Sequence, residues 1–255
     1  MKLTFDQNLF TQTSLDSGAL NMLGALTHSL SEAGQYRGAV YRGTENIGAF
    51  YVVADKNSPV AQANVDLATL DPSIIYAPSL SVDGQSSGCS CDQQGASAKT
   101  TQFVVNPKGY VVFHVSAGPG GYAVMVRKAE EDPRTKIYDS RKLSEGDIFS
   151  AAIIRPGTYS VENDLTKAKG QLTVAYPRVG KTAYRPPKPI DFHCSASAIE
   201  PVKAELQPGQ GIHFHFTVPS RIKIDLLKAD DGPGKSLGPT ITGWQKAALP
   251  KTAKQ

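Results

Sequence analysis

Between Ser14 and Ala33 the apolar residues Leu15, Ala19, Leu20, Leu23, Leu26 and Leu30 return every three or four positions, the period of one face of an α-helix. Ser14 or Asp16 can cap such a helix and Gly34 can stop it, so the pattern predicts a small N-terminal helix. Gly18 and Gly24 inside it each cost roughly 1 kcal/mol relative to Ala, so it needs packing to hold it. After Gly34 the period falls to two. The runs Gly38–Tyr41, Gly48–Val53 and Ala63–Leu67, with turn-rich residues 43–46 and 55–59 between them, predict a three-stranded meander.

From Gln102 the alternation is regular. Strands are predicted at residues 102–105, 110–116, 122–128, 147–154, 157–161 and 171–176, joined by turns such as Asn106-Pro107-Lys108-Gly109 and Arg155-Pro156-Gly157. This spacing predicts a mainly β fold built of antiparallel β-sandwich units. The pattern then restarts. Asn106 to Ser116 aligns without a gap on Gln207 to Thr217, placing Pro107 on Pro208, Phe113 on Phe214 and His114 on His215. After the loss of one residue in the loop, Val126 to Pro133 aligns on Leu226 to Pro233. A tandem duplicated strand motif is therefore expected.

These patterns divide the chain into residues 1–72 (helix and meander), 73–101 (a flexible Ser/Gly/Cys loop or linker), 102–178 (a first sandwich unit), 190–243 (a shorter second unit) and 244–255 (a basic tail). The Pro- and Lys-rich residues 177–189 read as an extended connector.

Composition narrows the function classes. A chain of 255 residues buries a core without disulfide or metal staples, and its 23 Gly and 17 Pro suit many short turns. The net charge of +4 is scattered along the chain, which does not indicate nucleic acid. No run approaches the roughly 18 apolar residues that cross a bilayer, so no membrane partner is expected. The first residues lack the apolar core of a secretory signal, so the chain reads as cytoplasmic, with a mature exported form the alternative. Three cysteines, an odd number, argue against a disulfide framework.

Candidate chemistry is sparse. Alternate strand residues share a face, so His213 and His215 stand together, and two imidazoles at this spacing can grip one ion. His193 and Cys194 precede that strand, and His114 holds the aligned position of His215. With Cys89 and Cys91 this inventory suits Zn or Cu; a solvated polar face is the competing explanation. Gly84-Gln85-Ser86-Ser87-Gly88 matches the spacing of a nucleophile elbow without the strand-to-helix setting that motif needs. Gly118-Pro119-Gly120-Gly121 reads as a hairpin loop rather than a phosphate cradle. Without a catalytic set, the leading expectation is a non-enzymatic binding or assembly protein that takes a protein partner or self-associates. A metal-binding protein using the His-x-His strand and an unrecognised metal-dependent enzyme are the alternatives.

Overall fold

The predicted N-terminal helix is not there. A computed structural model of the chain describes residues 11–75, 101–130, 135–175 and 185–230, and its first elements are strands: β1 (Ser14–Asp16) and β2 (Gly24–Ser29). The apolar period has another source. Leu15 is buried from β1, Leu20 from the bend between the strands and Leu26 from β2, so a strand–turn–strand path reproduces helical spacing. Asp16 makes the turn instead of capping a helix, its side chain accepting from the Gly18 N–H at 2.8 Å in the manner of an Asx turn. Gly24 lies where a Cβ would come within 3.3 Å of the Phe149 ring.

The expected three-stranded meander is not formed, because residues 34–42 and 45–54 pair as a hairpin while residues 62–66 join a different sheet beside 110–114; the other predicted runs are strands, and residues 190–194, 199–200 and 203–206 add further strands. The strands after β2 are β3 (Gly34–Arg42), β4 (Glu45–Ala54), β5 (Gln62–Asp66), β6 (Thr101–Val105), β7 (Tyr110–His114), β8 (Tyr122–Lys128), β9 (Tyr138–Asp139), β10 (Ile148–Ala152), β11 (Gly157–Asn163), β12 (Lys169–Val174), β13 (Ile190–Cys194), β14 (Ile199–Glu200), β15 (Lys203–Leu206), β16 (Gly211–Phe216) and β17 (Ile222–Ala229). Single helical turns stand at Leu67–Leu70 and Pro72–Ile75. Cys89, Cys91, the Gly84–Gly88 motif and the basic tail lie outside the described residues.

The strands form three sheets. A seven-stranded sheet runs β14-β13-β16-β10-β2-β7-β5, and two five-stranded sheets run β6-β4-β3-β8-β9 and β1-β17-β11-β12-β15. Most pairs are antiparallel; β5 with β7, β4 with β6, β13 with β16 and β12 with β15 are parallel. At the centre Leu26 of β2 sits directly opposite Phe149 of β10. Both are fully buried, so the two halves of the large sheet bury the same side. The small sheets cover that side, and their inward residues join those of the large sheet in one apolar cluster. Phe50 of β4 meets Phe113 of β7 across the layers at 6.0 Å.

Two features tie the first and second halves together. The segment β1 precedes β2 yet pairs with β17, and β9 precedes β10 yet pairs with β8. Each half thus lends an edge strand to the other half's small sheet. Buried serines fasten both loans: Ser17 Oγ accepts from the Ile222 N–H at 3.0 Å, and Ser140 Oγ from the Val124 N–H at 2.9 Å. The pairings also come in matching sets. The order β5-β7-β2 with β6-β4-β3-β8 in one half corresponds to β13-β16-β10 with β15-β12-β11-β17 in the other. Gly34 and Gly157 share a φ of +153°, a conformation open to glycine. Two residues later, Tyr36 and Tyr159 each donate a hydroxyl hydrogen bond to the carbonyl four residues back, at 2.7 and 2.8 Å.

A buried carboxylate anchors the turns that follow β5. Asp71 is 1% exposed and accepts from Tyr122 Oη at 2.9 Å, Arg42 Nη1 at 3.0 Å and both the N–H and hydroxyl of Ser73. Burial pushes its pKa up, but the hydrogen bonds from Ser73 and Tyr122 and the Arg42 charge outweigh burial and hold it below the ordinary value. A depressed folded-state pKa contributes stability that is fully present above the unfolded value near 4 and lost as pH falls through the folded one. Asp71→Asn is therefore expected to cost roughly 1–3 kcal/mol at neutral pH and to flatten the loss of stability below pH ~4. Urea midpoints of both proteins from pH 2 to 7 check this; parallel curves would refute it.

Candidate functional site

On the outward side of the seven-stranded sheet, paired residues form rows that cross both halves. One row reads Asp191, His213, Ser150, Ala25, His114, Asp66. The next reads Glu200, His193, His215, Ile148, Thr27, Val112, Asn64. The alternation of β13 and β16 is what puts these side chains outside, since Phe192, Cys194, Ile212, Phe214 and Phe216 take the inward positions and are buried.

Three of the histidines expected from the sequence come together. His213 Nδ1 and His215 Nε2 each lie 3.3 Å from Asp191 Oδ1, and the rings of His193 and His215 stack at 5.4 Å. The side chains are accessible, at 38% for His213, 36% for His215 and 58% for Asp191. The hydrogen bond from His215, then that from His213, holds the Asp191 carboxyl below its ordinary pKa. Asp191 was not among the expected ligands; a search for His and Cys passes over it, whereas its place two residues before His193 on an alternating strand is a legible signal.

The other two candidates stand elsewhere. Cys194 faces inward, fully buried, and burial pushes its thiol up to about 12, so it neither joins the histidines nor offers a thiolate. His114 shares their face but stands three strand steps from His215, roughly 14 Å at the usual strand spacing. Its neighbour across the strands is Asp66, which is bonded to Ser116 and to the Ala68 N–H. Among the described residues no three His, Cys, Asp or Glu side chains are set to hold a metal ion by themselves.

A fifth histidine, hidden in the segment that imitates a helix, makes the tightest imidazole contact described. His28 Nδ1 lies 2.7 Å from Oδ1 of Asp147, whose other oxygen accepts from the Ser144 N–H at 2.7 Å. As a carboxylate oxygen accepts, Nδ1 is the donor of this pair. The ring packs 4.5 Å from Tyr138, whose buried hydroxyl has no hydrogen-bond partner among the described residues. His28 borders a cleft of about 210 Å³ with Ser31, Glu32 and Lys128, and Glu32 and Lys128 pair with each other at 2.7 Å. Since His28 belongs to β2 and Asp147 to the approach to β10, this pair is a further tie between the halves.

Comparisons with protein-family models, with curated proteins and with solved structures find no match for the chain. Among the described residues no helix is long and apolar enough to cross a membrane.

Proposed function

We propose that the chain is a non-enzymatic assembly protein whose docking surface is the outward face of the seven-stranded sheet. The observation that carries this reading is the composition of the face by position. Its centre holds small or neutral side chains, Ala25, Thr27, Ile148, Ser150 and Val112, while the histidines and carboxylates stand toward its two ends. An uncharged centre within a polar rim is the anatomy of a protein interface. Seven strands of about five residues give a footprint roughly 34 Å by 17 Å, on the order of 600 Å². That approaches the ~800 Å² per partner of a standard interface.

The matching strand sets support a second element of the reading, descent of both halves from one unit. Leu15 and Tyr138, Asp16 and Asp139, Ser17 and Ser140, Leu20 and Leu143, Leu26 and Phe149, Gly34 and Gly157, and Tyr36 and Tyr159 are all 123 positions apart. A duplicated body joined through its sheets presents one continuous face with an approximate two-fold relation between its ends, a shape suited to isologous pairing.

Sedimentation of the purified chain in chelator at tens of micromolar is expected to show assembly. Thr27→Arg with Ser150→Arg, which places two like charges at the centre, is expected to weaken it at least tenfold. A chain that stays monomeric at these concentrations would sink the reading.

The alternative of a metal-binding protein has one specific observation in its favour, the Asp191 carboxylate set between the His213 and His215 rings.

A further inference from the structure

The two halves provide an internal comparison that bears on the histidine patch. Strand pairing makes β5 and β7 the counterparts of β13 and β16. With Phe113 matched to Phe214, Val112 stands where His213 does and His114 where His215 does; Asn64 occupies the place of Asp191, and Asp66 that of His193. The first half builds the same strands with Asn and Val at two of these positions. The fold therefore does not require Asp191 and His213, and their presence in the second half alone needs another cause.

Their chemistry supplies one. A carboxylate oxygen facing both rings accepts Nδ1–H of His213 and Nε2–H of His215, leaving Nε2 of the first and Nδ1 of the second with their lone pairs. A histidine that gives one ring proton to a carboxylate while its other nitrogen is a free donor has the outer-shell arrangement of metal-ligating histidines. Two neutral imidazoles suit a borderline divalent ion such as Zn²⁺. Among the described residues one chain supplies half of a tetrahedral shell, with no three-ligand set. A second copy can supply the other two donors, because the face is open. Stacked sheets lie roughly 10 Å apart, so an ion midway stands roughly 5 Å above each backbone, within reach of imidazoles from both sides.

We infer that His213 and His215 of two copies of this chain share one Zn²⁺ ion, with Asp191 orienting both rings, so that zinc tightens pairing through the sheet face. The inference rests on that face being the docking surface, and two of the measurements keep the claims apart. The dimer constant of the full chain is measured by sedimentation in chelator, then with ZnCl₂ and with MgCl₂ as control. Zinc is expected to tighten the dimer at least tenfold at one ion per two chains, and magnesium to leave it unchanged. His213→Asn with His215→Asn is expected to lose the zinc effect, read as the ratio of that variant's own dimer constants in zinc and in chelator. Asp191→Asn keeps the stoichiometry but weakens zinc affinity about 10- to 100-fold. Zinc binding at one ion per chain, an unchanged dimer constant in zinc, or a full zinc response in the double variant would each overturn the inference. Absence of any dimer in chelator counts instead against the docking surface.

Discussion

Divided between residues 130 and 135 and expressed as two polypeptides, the protein is expected to yield fragments that do not fold alone and that recover structure when mixed. The first fragment retains β8 but loses β9, and the second retains β17 but loses β1. Both lose the central pairing of β2 with β10, which places Leu26 against Phe149 at zero exposure, and the buried ends of Ser17 and Ser140 lose the N–H groups they cap. Each fragment would expose an apolar sheet edge along with one side of several core residues. Against a total stability of about 5–15 kcal/mol for a typical domain, losses on that scale leave nothing. Amide dispersion and cooperative melting of each fragment, and of the equimolar mixture, provide the measurement. A cooperative melt from either fragment alone would show that the exchanged strands are dispensable.

The second large effect is expected at Phe149. Its ring stacks on Phe214 at 5.8 Å, closely approaches Gly24, and is fully buried. Phe149→Ala removes contacts on both sides of the joint between halves and should cost about 3–5 kcal/mol, lowering the melting temperature by roughly 10 °C in a protein of this size. Leu227→Ala, at a side chain 64% exposed, should stay within about 0.5 kcal/mol of the wild type. A loss at Phe149 no larger than that at Leu227 would mean that the joint is not a packed core.

The sequence carried the strands well wherever one face is buried and the other is wet, because that condition imposes a period of two that nothing else produces. Thus β8 appears at Tyr122–Lys128, as its alternation predicts. It carried the N-terminal region badly because Leu15, Leu20 and Leu26 reach the core from three consecutive pieces of a folded-back path whose linear spacing imitates a helix. That misreading also concealed His28. Sheet membership was not legible: the parallel pairs β5 with β7 and β13 with β16 join segments distant in sequence, and period-two runs do not state their neighbours.

By strand partners Phe113 and Phe214 take like places, opposite Leu26 and Phe149. Partner positions equate Val126 with Ile224, since these face Gly38 and Val161, whereas residue similarity equates it with Leu226. The stretch from Phe214 to Ile224 is three residues shorter than that from Phe113 to Val126, rather than one, and the resulting two-residue difference preserves the face and so leaves the apolar pattern undisturbed. Of the candidate site, the sharing of a face by His213 and His215 was legible from spacing, while the arrival of Asp191 beside them depends on the parallel register of β13 on β16.

The loan of β1 also sets an order on biosynthesis. Asp16 is made 205 residues before the Arg221 side chain that grips it. Leu15 likewise awaits Ile224. While the ribosome produces everything between, the first strand has no edge to join, and its apolar side chain faces water or whatever protects nascent chains. The first of the described strands is thus among the last of them to be seated, and its docking on β17 signals that the described fold has been synthesised through to its final strand.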